Sequence, residues 1–505
     1  MQKSFFDRAI EFVSPKLALQ RYQARAVLHV VNKNYDKILK AEQRKYDAAS
    51  KGRHYSDWHS PNLSVNQEIL HALSTLRERS RDLCRNNAYA INAVRVLRNN
   101  VVGTGIIPNF KKGPGISASA LNKLKTAWTT WGGKTGCDYD DMNTFSGLQS
   151  MVMRVVAESG ECLVRRVRGT SEDVLPLRLQ LLEGDRIDGS HHTGTWDREN
   201  TITYYGIKFD KSGRRLGYWI YKGHPSEYGG ESEFVSADNI VHIYEVERPG
   251  QIRGIPLSCG VMLRMKDLED YEFTERIRSK VAAAFAVFVV DNSVDDAPTP
   301  GSADEIERIE PGMIKHLVPG QDIKVAQPPT VQGFGEFVKN NLRGISAGFG
   351  TSYESLTNDY SNVNFSSGRM GWIEMGRNVE HFQFNMMIPR LCDKVLPWFI
   401  EACQLKGIIG FNVVVDVSWT PPRREMIDPY KEIQALKEGI RAGIYSWQDV
   451  VRMCGYIPEE LKEELKQDAE MWDTLKLRPT VDPRFDANRP PDESNKIDDS
   501  EKAPE

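Results

Sequence analysis

TSYESLTNDYSNVNFSSGRMGW, residues 351–372, is the stretch on which the reading of this chain turns. It places a run of Ser, Thr, Asn and Asp, without proline and with no glycine before Gly368, between two segments of helical apolar pattern. Such a run is too polar for a core, where each unpaired polar group costs ~1–3 kcal/mol. It also lacks the Gly/Ser monotony of a flexible linker. The composition predicts a polar loop presented between two helices, and its flanks must say what it is presented from.

Downstream, Trp372, Met375, Val379, Phe382 and Met386 step by three and four, a coiled-coil-like seam on one very long helix. Pro389 and Pro397 should kink that helix. Upstream, EFVKNNLRGISAGFG (336–350) reads as a helix. An earlier helix, LSCGVMLRMKDLEDYEFTERIRSK (257–280), follows Pro256, a favourable first-turn residue, and lines up Leu257, Val261, Met265 and Leu268. Between these helices lies a small α+β insert: strand AFAVFVV (284–290), acidic helix SADEIERIE (302–310) and strand pair GMIKHLVPGQDIKV (312–325).

Further out, residues 65–132 carry a helical pattern, with Leu83, Ala90, Val94 and Leu97 in phase and Gly103 as a stop. Short strands follow in GECLVRRVRG (160–169), LRLQLLEGDRI (177–187), TITYYGIKFDKSGRRLGYWIYKGHP (201–225) and NIVHIYEVERPG (239–250). DKSG (210–213) forms a hairpin turn between 205–207 and 216–219. Helices and strands come in blocks, not in alternation, so the fold class is α+β. Strand GFNVVVDVSW (410–419) and two helices near 428–442 and 446–453 complete the ordered part.

The length, 505 residues, allows about two to four domains. A hydrophobic content of 40%, a charged content of 27% and a net charge of -3 describe a soluble globular chain without the basic excess of a conventional DNA binder. Charge is unevenly spread. Residues 1–60 hold twelve Lys and Arg against six Asp and Glu, a basic arm suited to nucleic acid, to an acidic partner or to a plain surface role. The proline-rich end, 477–505, holds five against eight and reads as a disordered tail. Seven scattered cysteines without a C-x-x-C pair suit a reducing compartment. No run approaches a spanning helix, and Asp7, Arg8 and Glu11 interrupt any signal-like start.

Chemical motifs fail on context. GISAG (344–348) has the G-x-S-x-G form that exposes a nucleophilic serine, but no strand precedes Ser346 and the only later histidine is His381, within the long helix. GGKT (132–135) ends like a phosphate loop, yet Trp128 stands where its first glycine belongs. Gly103 and Gly105 make only a turn. His191 and His192 sit in a polar loop without partners at metal spacing and read as exposed. RRVRG (165–169) reads as a solvated strand face, with phosphate contact as its alternative. The C-terminal helix pair has helix-turn-helix spacing, but its second helix offers only Arg452 as a base, beside Asp449. No catalytic residue, cofactor or metal site is expected.

Several blocks, in order over roughly residues 40–455, resemble the lambda family of tailed-bacteriophage portal proteins. They are RDLCRNNAYAINAVRVLRNNVVGTGI, LRLQLLEGDRID, IKFDKSGRRLGYWIYKGHP, RGIPLSCGVMLRMKDLEDYEFTERIRSKVAAAFAVFV, PGMIKHLVPGQDIKVAQP and LRGISAGFGTSYESLTNDYSNVNFSSGR. The resemblance implies a portal fold assembled as a dodecameric ring: a basic arm (1–59), a wing (60–255), stem helices (256–280 and 333–348), a clip (281–332), a tunnel loop (349–367), a long kinked wing helix with a strand (368–420), crown helices (421–476) and the tail (477–505).

It further implies a non-enzymatic conduit in the virion, at the capsid vertex, assembled in the host cytoplasm. Double-stranded DNA would pass without sequence preference, and the partners would be the terminase large subunit, head-completion or connector proteins, and major capsid and scaffold proteins. The tunnel-loop residues facing DNA would be Asn358, Asp359, Tyr360, Ser361, Asn362, Asn364, Phe365, Ser366 and Ser367, with Tyr360 and Phe365 as possible anchors onto the ring. Phe365 departs from the tyrosine the family often carries there. The competing readings are a serine hydrolase using Ser346, a nuclease using carboxylates such as Asp185 and Asp188, and a sequence-reading DNA binder using Arg452.

Overall fold

The computed structural model describes residues 62–283 and 333–477 apart from short gaps, the backbone of two strands between them, and isolated residues near each end. The chain divides into units Met1–Ser64 and Val65–Glu505, and the elements below belong to the second. Most of the basic arm, the helix expected at 302–310 and the strand expected at 312–318 lie outside the described residues.

Helices α1 (Val65–Asn86) and α2 (Ala88–Val101) meet at Asn87, whose side chain accepts the amides of Tyr89 and Ala90 and so starts α2 afresh. The buried face of α2, Ala90, Ala93, Val94, Leu97 and Val101, packs on α4 (Phe145–Ser159), which follows α3 (Ala118–Gly132) in the chain. The helical pattern expected to run to 132 is broken by β1 (Ile107–Lys111), which pairs antiparallel with β11 (Asp416–Thr420). That distant register explains why the strand expected at 410–419 begins only at Asp416. Above this pair Trp128 lies edge-on to Phe145 and Phe399, at 5.1 and 4.9 Å, and Trp131 Nε1 donates to the Leu177 carbonyl at 2.8 Å.

Two antiparallel sheets follow. The first has β2 (Glu161–Arg168) between β3 (Leu177–Glu183) and β8 (Ile240–Tyr244); the second runs β4 (Thr201–Tyr204), β5 (Ile207–Asp210), β6 (Arg215–Tyr221) and β7 (Ser232–Ser236). Tyr205 and Gly206, expected within a strand, are instead a tight turn with φ of 46° and 81°. DKSG does turn the next hairpin: Asp210 Oδ1 accepts from the Ser212 and Arg214 amides at 2.9 and 2.8 Å.

Glu161, at the start of β2, is fully buried and gathers donors from separate elements. Arg77 of α1 pairs with it; Arg253 Nε and the Gly254 amide donate at 2.7 Å, and His242 of β8 at 3.0 Å. Burial opposes its charge, but Arg253 and Arg77 outweigh that and hold the carboxyl well below its usual range. Arg215 Nη1 lies 3.2 Å from His242 Nδ1. Arginine only donates, so Nδ1 accepts and Nε2–H points at Glu161, which fixes a neutral imidazole. Burial agrees, lowering the His242 pKa to about 4. Beside this cluster Gly160 (φ 89°) and Gly254 press together so closely that a Cβ on Gly254 would lie 2.1 Å from the Gly160 carbonyl oxygen.

That close pass aims the chain at α5 (Met262–Ala283), which begins six residues after Pro256 because 257–261 form turns. Val261, Met265 and Leu268 are buried. Helix α6 (Phe334–Phe349) lies antiparallel to α5: Phe337 touches Tyr271, Gly344 faces Arg264 and Gly348 faces Val261. Between them β9 (Val287–Asp291) pairs antiparallel with β10 (Gln321–Val325).

After α7 (Tyr353–Thr357), the long helix comprises α8 (Phe365–Phe382), a π-helical segment (Gln383–Cys392) and α9 (Asp393–Leu405). Pro389 falls in the π segment, whose wider turn accommodates its missing N–H, whereas Pro397 sits inside α9. Met375, Val379, Phe382 and Met386 are buried in the main core of their own chain, so the seam is intramolecular and not a coiled coil. Helices α10 (Pro429–Arg441), α11 (Trp447–Met453) and α12 (Pro458–Thr474) end the fold. In the tail expected to be disordered from 477, the described Arg484 bonds Asp473 at 2.9 and 3.0 Å, and most of the remainder lies outside the described residues. No described helix is long and apolar enough to cross a membrane.

Candidate functional site

Helix α6 stops at Gly350 (φ 69°), and Ser352 starts α7 by accepting the Ser355 amide at 3.1 Å. Two features hold α7 down. Leu356 is 1% exposed in the core, and Asn92 of α2 donates to the Ser355 and Leu356 carbonyls at 2.8 Å each. Tyr353 lies under the Lys339 ammonium and the Arg343 guanidinium, at 5.7 and 5.8 Å from its ring centre.

Asn358 then takes the left-handed conformation (φ 56°) that ends α7, and the chain turns outward. Asp359 Oδ1 accepts from the Ser361 hydroxyl and amide, and these bonds lower its pKa; Tyr353 donates to Oδ2 at 3.2 Å. Asn364 accepts the Ser367 amide at 2.8 Å, and the Asn364 amide donates back to the Ser367 hydroxyl, a reciprocal cap that starts α8. At its base, a Cβ on Gly368 would come within 2.9 Å of Val363.

The loop is therefore shorter than expected. Residues 353–357 are helical, and Phe365, Ser366 and Ser367, expected in the tunnel loop, form the first turn of α8 because Asn364 caps it. Asn358, Tyr360, Ser361, Asn362 and Asn364 remain at the exposed turn, with Asp359 half-buried. Tyr360 is 62% exposed and Phe365 54%, the latter with Lys431 Nζ 5.8 Å from its ring centre, so the buried anchor within this chain is Leu356. From Thr351 to Gly368 there is no Lys or Arg, and Glu354 and Asp359 make the stretch acidic.

Elsewhere the rejected chemistries meet specific obstacles. Ser346 is buried within α6, and its hydroxyl donates to the Arg343 carbonyl at 2.9 Å. Asp185 is taken by Arg81 and Arg77. Asp188 is buried and accepts from Tyr221, Ser190 and Ser232. His191, expected to be exposed, is half-buried and stacked on Trp219 at 4.0 Å. Its Nε2 faces both Ser232 (3.1 Å) and Asp188 (3.4 Å), whereas a relay needs serine and carboxylate on different ring nitrogens. Arg165 and Arg166 are paired with Glu233 and Glu401, and Arg452 with Asp449. Among the described residues no cluster of His, Cys, Asp and Glu can hold a metal ion.

Sequence reading missed α4, although Thr144 as a cap followed by Phe145, Leu148, Val152 and Val156 in helical phase announces it. It also missed β7, α12 and the Glu161 cluster, whose partners are far apart in the chain.

The description "Phage portal protein, lambda family" matches residues 51–383. A probable portal protein of Halomonas phage phiHAP-1 is 26% identical over 426 residues, spanning 79% of this chain and 81% of its own length. Portal protein B of Escherichia phage lambda is 23% identical over 492 residues, spanning 87% and 90%. A chain from the neck of an empty gene transfer agent particle superposes with a TM-score of 0.46 at 14% identity, covering 81% of this chain and 99% of that one. The first of these matches extends over more than half of the sequence, and the chain belongs to the lambda family of phage portal proteins.

Proposed function

We propose that copies of this chain assemble head-to-tail into a dodecameric ring at one capsid vertex, through which double-stranded DNA is packaged and ejected. The turn 358–364 faces the channel. The observation that carries this is its chemistry: exposed Asn, Ser and Tyr on a buried base, with no basic residue between Thr351 and Gly368. Neutral donors give weak, exchangeable bonds to passing phosphates, whereas arginines would grip them and stall movement.

In this reading α5 and α6 are stem helices, the strands between them belong to a clip that docks the terminase motor and later the connector proteins, and α10 to α12 form the crown. The assembly takes place in the host cytoplasm with capsid and scaffold proteins, and the ring itself does no chemistry. Replacing 358–364 by a short Gly/Ser linker tests the channel assignment. Rings should form as before while DNA packaging or retention fails; loss of the rings would make the turn an interface element.

A further inference from the structure

Arg95 and Arg98 stand one turn apart on α2, and with Arg154 of α4 they line a small cleft of about 70 Å³. Its floor includes Ile91, Val94 and Cys84, whose thiol is pushed up to about 12, chiefly by burial, and so brings no charge. Glu158 is the one carboxylate in the lining, and it is bonded to Arg154 at 3.4 Å. Among the described residues Arg95 has no ion pair, and Arg98 reaches only the neutral Asn99 Oδ1 at 3.3 Å. The contrast with Arg77 and Arg81 on neighbouring α1, both held by carboxylates, is plain.

At the far end of the chain, α12 is strongly acidic. Glu463 and Glu470 share Lys466 and Glu459 holds Asn109, but Glu464 and Asp468 are exposed and without an ion pair among the described residues. Leu461, Leu465 and Trp472 of the same helix stay only half-buried, so its own chain leaves it partly uncovered. Two acids at i and i+4 match two guanidinium groups at i and i+3, each pair about 5–6 Å apart at Cβ.

We propose that the Arg95–Arg98 cleft is an interface that receives Glu464 and Asp468 of α12 from a second copy of this chain. A head-to-tail ring joins two different patches of the same molecule, which this pairing supplies. Arg95 and Arg98 offer one guanidinium to each of the two carboxylates in a cleft too small for a duplex, and arginine's planar fork suits that group. The inference rests on the ring reading above.

Charge reversal tests it in the full-length protein. Arg95→Glu/Arg98→Glu, and separately Glu464→Lys/Asp468→Lys, should each raise the concentration for half-assembly at least about tenfold, read by light scattering. All four sites are on exposed or half-exposed helix faces, and near-ultraviolet circular dichroism verifies the fold; either variant tests the contact from its own side. Combining both reversals in one chain, or mixing the two variants in equal amounts, should restore rings. Wild-type-like assembly of either variant, or no rescue on combination, overturns the pairing. If inorganic phosphate at constant ionic strength raises the wild-type melting temperature through Arg95 and Arg98 while assembly ignores both variants, the cleft is a phosphate site and the pairing is overturned. A wild type that forms no ring overturns the ring reading and this pairing with it.

Discussion

The Glu161 cluster and the turn 358–364 use polar groups in opposite ways. At Glu161 two arginines, a histidine and a backbone amide converge on one carboxylate with no exposure, joining α1, β2, β8 and the approach to α5. At the turn, the polar groups bond only near neighbours, Ser361 to Asp359 and Ser367 to Asn364, and the remainder face solvent. Charges sealed from water fix geometry, because leaving any of them unpaired is costly. Neutral groups left in water remain free to exchange partners. The frame is pinned where it leads into the α5/α6 pair and left to exchange partners at the turn.

The largest effect should come from removing the centre of the cluster. Glu161→Ala leaves Arg77 and Arg253 buried without their carboxylate, and urea unfolding should report a loss of about 3–5 kcal/mol. Next is acid. His242 stays neutral in the fold down to about pH 4, while unfolding restores its ordinary value of 6.5 and takes up a proton. Its contribution is therefore complete above pH 6.5 and lost as pH falls from 6.5 to 4, up to about 3 kcal/mol. His242→Gln should flatten that part of the stability-versus-pH curve.

Leu356→Ala should cost about 2–4 kcal/mol as the buried base of α7 empties. Hydrogen exchange should speed up across 353–367 before it does elsewhere, which would mark the turn as a separately anchored unit. The smallest effect belongs to the turn itself: Tyr360→Ser and Asn362→Ala should change unfolding free energy by no more than about 0.5 kcal/mol. A larger loss there would erase the contrast with Glu161.

What the sequence made legible follows from the range of the forces involved. The α5 stripe Val261, Met265 and Leu268 and the seam Met375, Val379 and Phe382 were readable because helical burial repeats over a few residues. The polar turn was readable by composition, but its limits were not, since Asn364 and Ser367 cap α8 through a three-residue pattern hidden in a longer polar run. The gathering of Arg77, His242 and Arg253 on Glu161 depends on residues 81 to 92 positions apart, and the pairing of β1 with β11 on residues 305 to 313 apart, which no local window contains. Tyr360 and Phe365 stay exposed within this chain, where Leu356 is the buried contact of α7, and that division between exposed aromatics and one buried aliphatic has no signature in composition.

The most direct test of the central claim is the mass of the purified protein in solution by light scattering, with negative-stain electron microscopy of the same sample. The account predicts closed rings with a central hole and a mass near that of a dodecamer of the 57.3 kDa chain. A monomer that persists across salt and concentration, with no ring in any field, would contradict it.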